Sequence, residues 1–307
     1  MKQIVKSAFL LALIIFAGCS ILINKVSAAD RPQVLTTFYP VYFMVQSIAG
    51  EEADVTMLLP SNQDVHSYDL SARDAVMVQE SDLFVYQDDE MEIFVQELAS
   101  IVDPAKTRLV ESTKGLDLLE GEGGAHQEAH GGDHQHEIDP HTWLDPMLYA
   151  QQSENIMKAL VEIDPDNAKK YEENYNELLE NLKMLDKDYQ EKLKELSNRT
   201  IVVQHGAFAY LANAYGLEQM AIAGLSSEQE PSAQQLGEMQ KLLLEKNISV
   251  IYVDPALDSK IAETVASAAQ VDLLPLRTIE IVTEEERKAG EDYFSIMRSN
   301  LDQLTKN

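Results

Sequence analysis

A repeated alternation of short apolar runs with amphipathic stretches most constrains the fold of this chain. In its first third, apolar runs at residues 34–38 and 55–59 are followed by segments whose apolar residues recur at helical spacing. The alternation resumes in the last third, with apolar runs at residues 201–203 and 249–253. Strands that alternate with helices are typical of parallel βαβ units. The pattern therefore predicts an α/β protein with two separate βα blocks.

A long helical block, residues 147–197, separates the two βα blocks. Asp164-Pro165 interrupts it, and in the second part, residues 166–196, apolar residues recur every three or four positions. Such a helix would span roughly 45 Å at ~1.5 Å per residue, which is long enough to link two lobes. We therefore expect an N-terminal lobe (30–146) and a C-terminal lobe (198–307). Each would be a small, mostly parallel sheet flanked by helices, and one long rigid helix would join them.

The first 29 residues have the features of an export signal and tether. Lys2 and Lys6 precede a short apolar run, which is followed by Cys19, the only cysteine in the chain. A small-residue pair before Cys19 resembles a bacterial lipoprotein signal, although Phe16 stands where Leu is usual. This predicts lipidation at Cys19 and an extracytoplasmic protein anchored to the cell membrane. Cleavage within residues 26–29 is the alternative, and it would release a soluble periplasmic or secreted protein.

Charge and one low-complexity segment narrow the possible partners. The chain has 24 basic and 52 acidic residues, a net charge of -28, so its surface would repel nucleic acid. Residues 120–137 contain five glycines, five acidic residues and four histidines, with only two alanines as apolar residues. We expect this segment to be a disordered loop. It is either a solubilising spacer or a weak auxiliary metal site formed by its histidines: His126, His130, His134 and His136.

The other three histidines, His66, His141 and His205, lie just after predicted strands or in loops at the sheet ends. Ligands of open α/β sheets collect at the carboxyl ends of the strands, so these imidazoles could meet between the lobes. A single histidine in such a position is more often a hydrogen-bonded loop residue, but three in equivalent settings favour a metal site. Three imidazoles suit Zn²⁺, whereas Mn²⁺ would be expected with more carboxylates. Glu280, after the last predicted strand, is the candidate fourth ligand, and water is the alternative.

A histidine that binds a metal through one ring nitrogen usually donates the N–H of its other nitrogen to a hydrogen-bond acceptor. Asp139 and Asp145, on either side of His141, are the candidates. Asp145 could instead cap the following helix.

Several motifs resemble those of the zinc-specific solute-binding proteins of ABC importers, a group that also contains manganese-binding and adhesin-like lipoproteins. The segments PSNQDVHSYDLSARD, DPHTWLDP and HGAFAYLA are similar to the family's three ligand motifs. The resemblance implies ligand roles for His66, His141 and His205. Residues 279–283 are similar to the family's fourth ligand segment and imply Glu280, whereas a second register at 275–277 offers no carboxylate. The resemblance covers essentially the whole mature chain and implies the same two-lobe fold.

The resemblance implies a monomer that binds Zn²⁺ outside the cytoplasm and delivers it to an ABC permease and its ATPase. A manganese importer component and a surface adhesin are alternatives. A zinc hydrolase is a further rival, because three histidines with an open position also describe catalytic zinc. The chain contains no H-E-x-x-H and no G-x-S-x-G motif, so we predict that it is not an enzyme.

Overall fold

A computed structural model describes residues 31–121, 138–225 and 232–306 of the chain. The predicted export signal with Cys19 and the four histidines of segment 120–137 lie outside these ranges. Among the described residues, no helix combines the length and the apolar character needed to cross a membrane.

The first lobe is built on a four-stranded parallel sheet. Its strands are β1 (Gln33–Thr36), β2 (Asp54–Met57), β3 (Leu83–Tyr86) and β4 (Arg108–Glu111). Its helices are α1 (Tyr39–Ala49), α2 (Ala72–Glu80) and α3 (Val95–Ile101). The strands are ordered β2-β1-β3-β4 and all pair in parallel.

The second lobe repeats this arrangement. Its strands are β5 (Thr200–Val203), β6 (Glu218–Ala221), β7 (Val250–Val253) and β8 (Asp272–Pro275), in the order β6-β5-β7-β8 and again all parallel. The prediction of two lobes, each with a parallel sheet flanked by helices, is confirmed. Parallel pairing brings the carboxyl ends of all four strands of a sheet to one edge.

Two helices connect the lobes, and the helices of the second lobe follow in chain order. The connecting helices are α4 (Pro146–Ile163) and α5 (Ala168–Leu193). Those of the second lobe are α6 (Ala209–Tyr215), α7 (Ala233–Glu245), α8 (Lys260–Ala269), α9 (Glu284–Lys288) and α10 (Tyr293–Leu304).

Helix α5 is the long helix that joins the lobes. It begins two residues later than the predicted 166–196, because a 3-10 turn at Pro165–Asn167 precedes it, and it ends three residues earlier, at Leu193. Its 26 residues span about 39 Å. Near its start, Asn174 donates a hydrogen bond of 2.9 Å to the Ile48 carbonyl at the end of α1. Near its end, the Tyr189 hydroxyl donates one of 2.7 Å to the Met297 carbonyl in α10. The helix is therefore hydrogen-bonded to both lobes.

Three elements differ from the sequence-based expectation. Strand β6 was not predicted, because Glu218 and Gln219 make half of it polar; an edge strand needs only backbone pairing with one neighbour. The sequence predicts a helix around residues 91–101, but helix α3 begins only at Val95, since the Asp88 carboxylate accepts the backbone N–H of Met91 and holds a turn there. Helix α9 was also missed, although Thr283 and Glu286 form a capping box at its start.

Candidate metal centre

Each candidate ligand follows a strand or begins a turn. His66 lies in a 3-10 turn, Val65–Ser67, where the Asp64 carboxylate accepts the His66 N–H at 2.8 Å. His141 precedes a second 3-10 turn, Thr142–Leu144. His205 comes two residues after the end of β5, and Glu280 comes five residues after the end of β8. The two lobes therefore each contribute two of the four side chains.

The four side chains converge on one point. One donor atom from each of His66, His141, His205 and Glu280 lies within 4.8 Å of the other three. The imidazole centroids are 5.5 Å apart for His66 and His141, 5.7 Å for His141 and His205, and 6.3 Å for His66 and His205. The three rings therefore lie close together, as expected from the sequence.

Glu280 is the carboxylate in contact with the rings. Its Oε1 lies 3.3 Å from His141 Nε2 and 3.5 Å from His205 Nε2, and its Oε2 lies 3.8 Å from His66 Nε2. A tetrahedral Zn²⁺ with bonds of about 2.0–2.1 Å has ligand atoms roughly 3.4 Å apart. The two distances from Glu280 Oε1, to His141 and to His205, are close to this value.

The donor atoms are buried and otherwise unused. The His141 and His205 side chains are at most 1% exposed, Glu280 is fully buried, and only His66 reaches solvent, with 9% of its side chain. Within the described ranges, the three Nε2 atoms and both Glu280 oxygens have no hydrogen-bond partner. Buried polar atoms are normally hydrogen-bonded, so five such atoms around one point indicate a ligand. The set fits a divalent cation that prefers nitrogen and oxygen.

The electrostatics of the metal-free site favour a protonated His141 beside an ionised Glu280. Burial alone would raise the pKa of the Glu280 carboxyl, but the adjacent imidazoles lower it well below its ordinary value. Burial would lower the pKa of His141, but Asp139 and then Glu280 raise it to about 10. A carboxylate and an imidazolium are therefore the stable pair at neutral pH, and a bound cation would replace the proton.

Asp139 fixes the orientation of the His141 ring. Its Oδ1 lies 2.7 Å from His141 Nδ1 and also accepts the His141 backbone N–H at 2.9 Å. This contact leaves Nε2 as the ring atom that faces the site. Asp145 has the other role considered from the sequence: its carboxylate accepts the N–H groups of Met147 and Leu148 and caps α4. Asp139 is therefore the acceptor for the ring.

Trp143, which the sequence did not single out, connects the two lobes next to the site. Its side chain is fully buried, and its indole Nε1 donates a hydrogen bond of 2.7 Å to the Thr278 carbonyl, two residues before Glu280.

The alternative register at residues 275–277 does not reach the rings. Arg277 instead forms an ion pair of 3.0 Å with Glu286 and donates to the Ile281 carbonyl.

His66 marks the side from which solvent approaches. It lines a surface depression together with Tyr68, Phe94 and Leu225. The other three candidate ligands do not line it. An ion would therefore meet His66 first.

Comparison with known proteins points to zinc uptake. The family model described as "Zinc-uptake complex component A periplasmic" matches residues 34–307. The "High-affinity zinc uptake system protein ZnuA" of Bacillus subtilis is 38% identical over 280 residues, covering 91% of this chain and 88% of that protein.

Two streptococcal comparisons agree with this. The "Zinc-binding lipoprotein AdcA" of Streptococcus pneumoniae is 36% identical over 307 residues; the match covers 99% of this chain but only 60% of AdcA, so the chain spans about three fifths of that relative. The crystal structure of the Zn(II)-bound ZnuA-like domain of the same AdcA has a TM-score of 0.77 at 35% identity. It covers 90% of this chain and 98% of the domain.

Proposed function

The chain belongs to the family of zinc-uptake complex component A proteins, and we propose that it binds Zn²⁺ through His66, His141, His205 and Glu280 as transported cargo. The observation that supports this proposal most strongly is the convergence of four donor side chains whose buried Nε2 and carboxylate atoms have no hydrogen-bond partner among the described residues. A cation bound there would satisfy these atoms together.

The donor set supports zinc over manganese. Zn²⁺ forms tetrahedral sites with imidazole nitrogens and carboxylate oxygens, whereas Mn²⁺ prefers oxygen donors and higher coordination numbers. Three imidazoles and one carboxylate, whose oxygens lie 3.3 to 3.8 Å from the ring nitrogens, match the nitrogen-rich site. Relatives named for zinc uptake and zinc binding agree with this choice.

A binding role is supported over hydrolysis by the number of protein donors. Catalytic zinc keeps one position open for water or substrate, whereas here four side chains can occupy all four tetrahedral positions. Glu280, the carboxylate that could serve as a general base, is itself in contact with the three imidazoles. The chain is therefore proposed to be a binding protein and not an enzyme.

Delivery to a membrane importer follows from the family. A component of a zinc-uptake complex needs a transport partner, so the proposed partners are an ABC permease and its ATPase. The proposed location is outside the cytoplasm, with lipidation at Cys19, in keeping with relatives named lipoproteins. The four histidines of segment 120–137 are proposed to bind zinc weakly. The protein is proposed to act as a monomer, and the adhesin alternative has no comparable support in the site.

Metal analysis tests the proposal. Purified protein should contain about one tightly bound zinc ion per chain, and His205→Ala should lose it. His130→Ala, in the histidine-rich segment, is the matched control and should retain the tight ion. Equal tight zinc content in wild type and His205→Ala would overturn the assignment.

A further inference from the structure

The backbone immediately before Glu280 adopts a conformation that its sequence does not favour. Ile279 has φ of 68°, in the left-handed region, and its side chain is fully buried. The other described non-glycine residues with positive φ are Asn247 and Gln270, which lie at the ends of α7 and α8, where a left-handed residue is common. A β-branched residue in this region is an outlier, because its side chain crowds the following carbonyl.

Such a conformation persists only where the surrounding structure enforces it. Here the anchors lie on both sides of Ile279. Asn300 pairs with both backbone groups of Arg277, at 2.9 and 2.8 Å. Trp143 donates to the Thr278 carbonyl at 2.7 Å, and the Arg277 guanidinium donates to the Ile281 carbonyl at 3.0 Å.

The strongest anchor is Asp254, which directly follows β7 and is 3% exposed. Its Oδ2 accepts both the backbone N–H of Thr278, at 2.7 Å, and the Thr278 hydroxyl, at 2.9 Å. Its Oδ1 accepts the Ala256 N–H at 2.9 Å. Hydrogen bonds to a buried carboxylate are stronger than neutral ones, so Asp254 ties Thr278 firmly to the end of β7.

We infer that Asp254 is a positioning residue of the metal site: by holding Thr278, it keeps Ile279 in the left-handed conformation that directs Glu280 at the three imidazoles. The inference rests on the proposed function, because it concerns how the fourth ligand is held. Without this anchor, Ile279 would relax to negative φ, and the Glu280 carboxylate would turn away from His66, His141 and His205. Glycine adopts positive φ without steric cost, so a glycine at position 279 would need the anchor less.

This coupling can be measured by introducing Asp254→Asn into three backgrounds: wild type, Ile279→Ala and Ile279→Gly. Alanine and glycine both remove the isoleucine side chain, and only glycine removes the strain. We expect Asp254→Asn to weaken zinc binding about tenfold or more in the wild-type and alanine backgrounds. In the glycine background the loss should be less than about threefold. Competition with a chromophoric zinc chelator gives the affinities.

Cobalt absorption supplies a readout that a loss of general stability would not change. With saturating Co²⁺, displacement of the Glu280 carboxylate should alter the visible d–d bands, because these depend on the ligand set and its geometry. The altered bands are expected for Asp254→Asn in the alanine background, and restored bands in the glycine background.

Asp88→Asn is the matched control. Asp88 is also a 3% exposed aspartate just beyond a strand, and its carboxylate accepts the N–H groups of Glu90 and Met91. This variant makes the same Asp-to-Asn change at a buried turn without touching residues 277–281, so it should lower zinc affinity less than Asp254→Asn does. If Asp254→Asn does not fold, Thr278→Val provides a milder test, because it removes only the hydroxyl hydrogen bond to Asp254. We expect Thr278→Val to weaken zinc binding about threefold. Thr278→Ser keeps the hydroxyl and should bind zinc as tightly as wild type.

The outcomes separate the two proposals. An Asp254→Asn effect that is equal in the alanine and glycine backgrounds, or no larger than that of Asp88→Asn, overturns the inference and leaves the zinc site intact. Equal affinities of Thr278→Val and Thr278→Ser overturn it as well. A wild-type protein that binds no zinc overturns the proposed function and the inference together.

Discussion

The Nδ1 atom of His141 lies 2.7 Å from Oδ1 of Asp139, and both side chains are buried. The contact orients the ring so that Nε2 faces Glu280, at 3.3 Å from its Oε1. Partners of this kind raise the basicity of a ligating imidazole and fix its direction.

Removal of this partner should weaken zinc binding. We expect Asp139→Ala to lower zinc affinity about 10–100-fold, the range typical for such partners. Asp145→Ala, four residues from His141, is the control: it removes the cap of α4 and should lower the free energy of unfolding by about 1 kcal/mol with little effect on affinity. Competition titrations and thermal melts of both variants provide the comparison. Equal affinity losses in the two variants would count against a specific role for Asp139.

Zinc affinity should rise with pH. The pKa of His141 is raised to about 10 in the folded, metal-free protein, whereas a histidine in the unfolded chain has a pKa of about 6.5. The proton on His141 therefore stabilises the fold fully below about pH 6.5, and this contribution is lost as pH rises through about 10. Zinc must displace that proton, so each pH unit gained between pH 6 and 9 should improve affinity by up to about tenfold. Titrations across this range, with calorimetry in two buffers to count released protons, test it. Unchanged affinity between neutral and mildly acid pH would contradict it.

Metal preference should depend on His205. We expect His205→Asp to weaken zinc binding by at least about tenfold and to improve manganese binding relative to zinc, because Mn²⁺ favours carboxylate oxygens. Parallel titrations with Zn²⁺ and Mn²⁺ give the ratio of the two affinities. His205→Asn, of similar size but uncharged, should weaken zinc without the gain for manganese. An unchanged affinity ratio in His205→Asp would refute the prediction.

Deletion of the histidine-rich segment should leave the tight site intact. The backbones of Glu120 and Ile138 form an antiparallel bridge, so residues 122–137 can be replaced by a short Gly-Gly turn between paired chain ends. Calorimetry should show the high-affinity zinc retained and the weaker binding reduced. Replacement of the four histidines by glutamine in the full-length chain is the matched control for loop length. Loss of the tight site on deletion would show that the segment is part of it.

The long helix should contribute to stability without affecting the metal. Tyr189→Phe removes the buried hydrogen bond from α5 to the Met297 carbonyl. The expected loss in the free energy of unfolding is roughly 0.5–1.5 kcal/mol, measured by urea denaturation. Zinc affinity should stay within about twofold of wild type. A large change in affinity would instead indicate that this end of the helix is coupled to the site.

Much of the fold was predictable because it is encoded locally. Short apolar runs between helical stretches predicted parallel strands, and the apolar stripe from Tyr175 to Leu193 predicted the long helix. The misses have local causes as well. Strand β6 is polar at Glu218 and Gln219 and forms only through pairing with β5, a partner 18 residues earlier in sequence. Helix α3 was predicted too long, because a single carboxylate, Asp88, holds a turn before it.

The candidate metal-binding side chains could be identified from local patterns: three histidines at strand ends and turns, with a carboxylate after the last strand. Their directions depend on contacts between segments that are distant in the chain. The ring partner Asp139 could be suspected from its place beside His141, but Asp254 and Thr278 lie 24 residues apart and meet only because β7 and β8 are adjacent in the sheet. Ile279 would not favour its left-handed backbone in isolation. Long-range hydrogen bonds impose it, and such contacts leave no local pattern in a sequence.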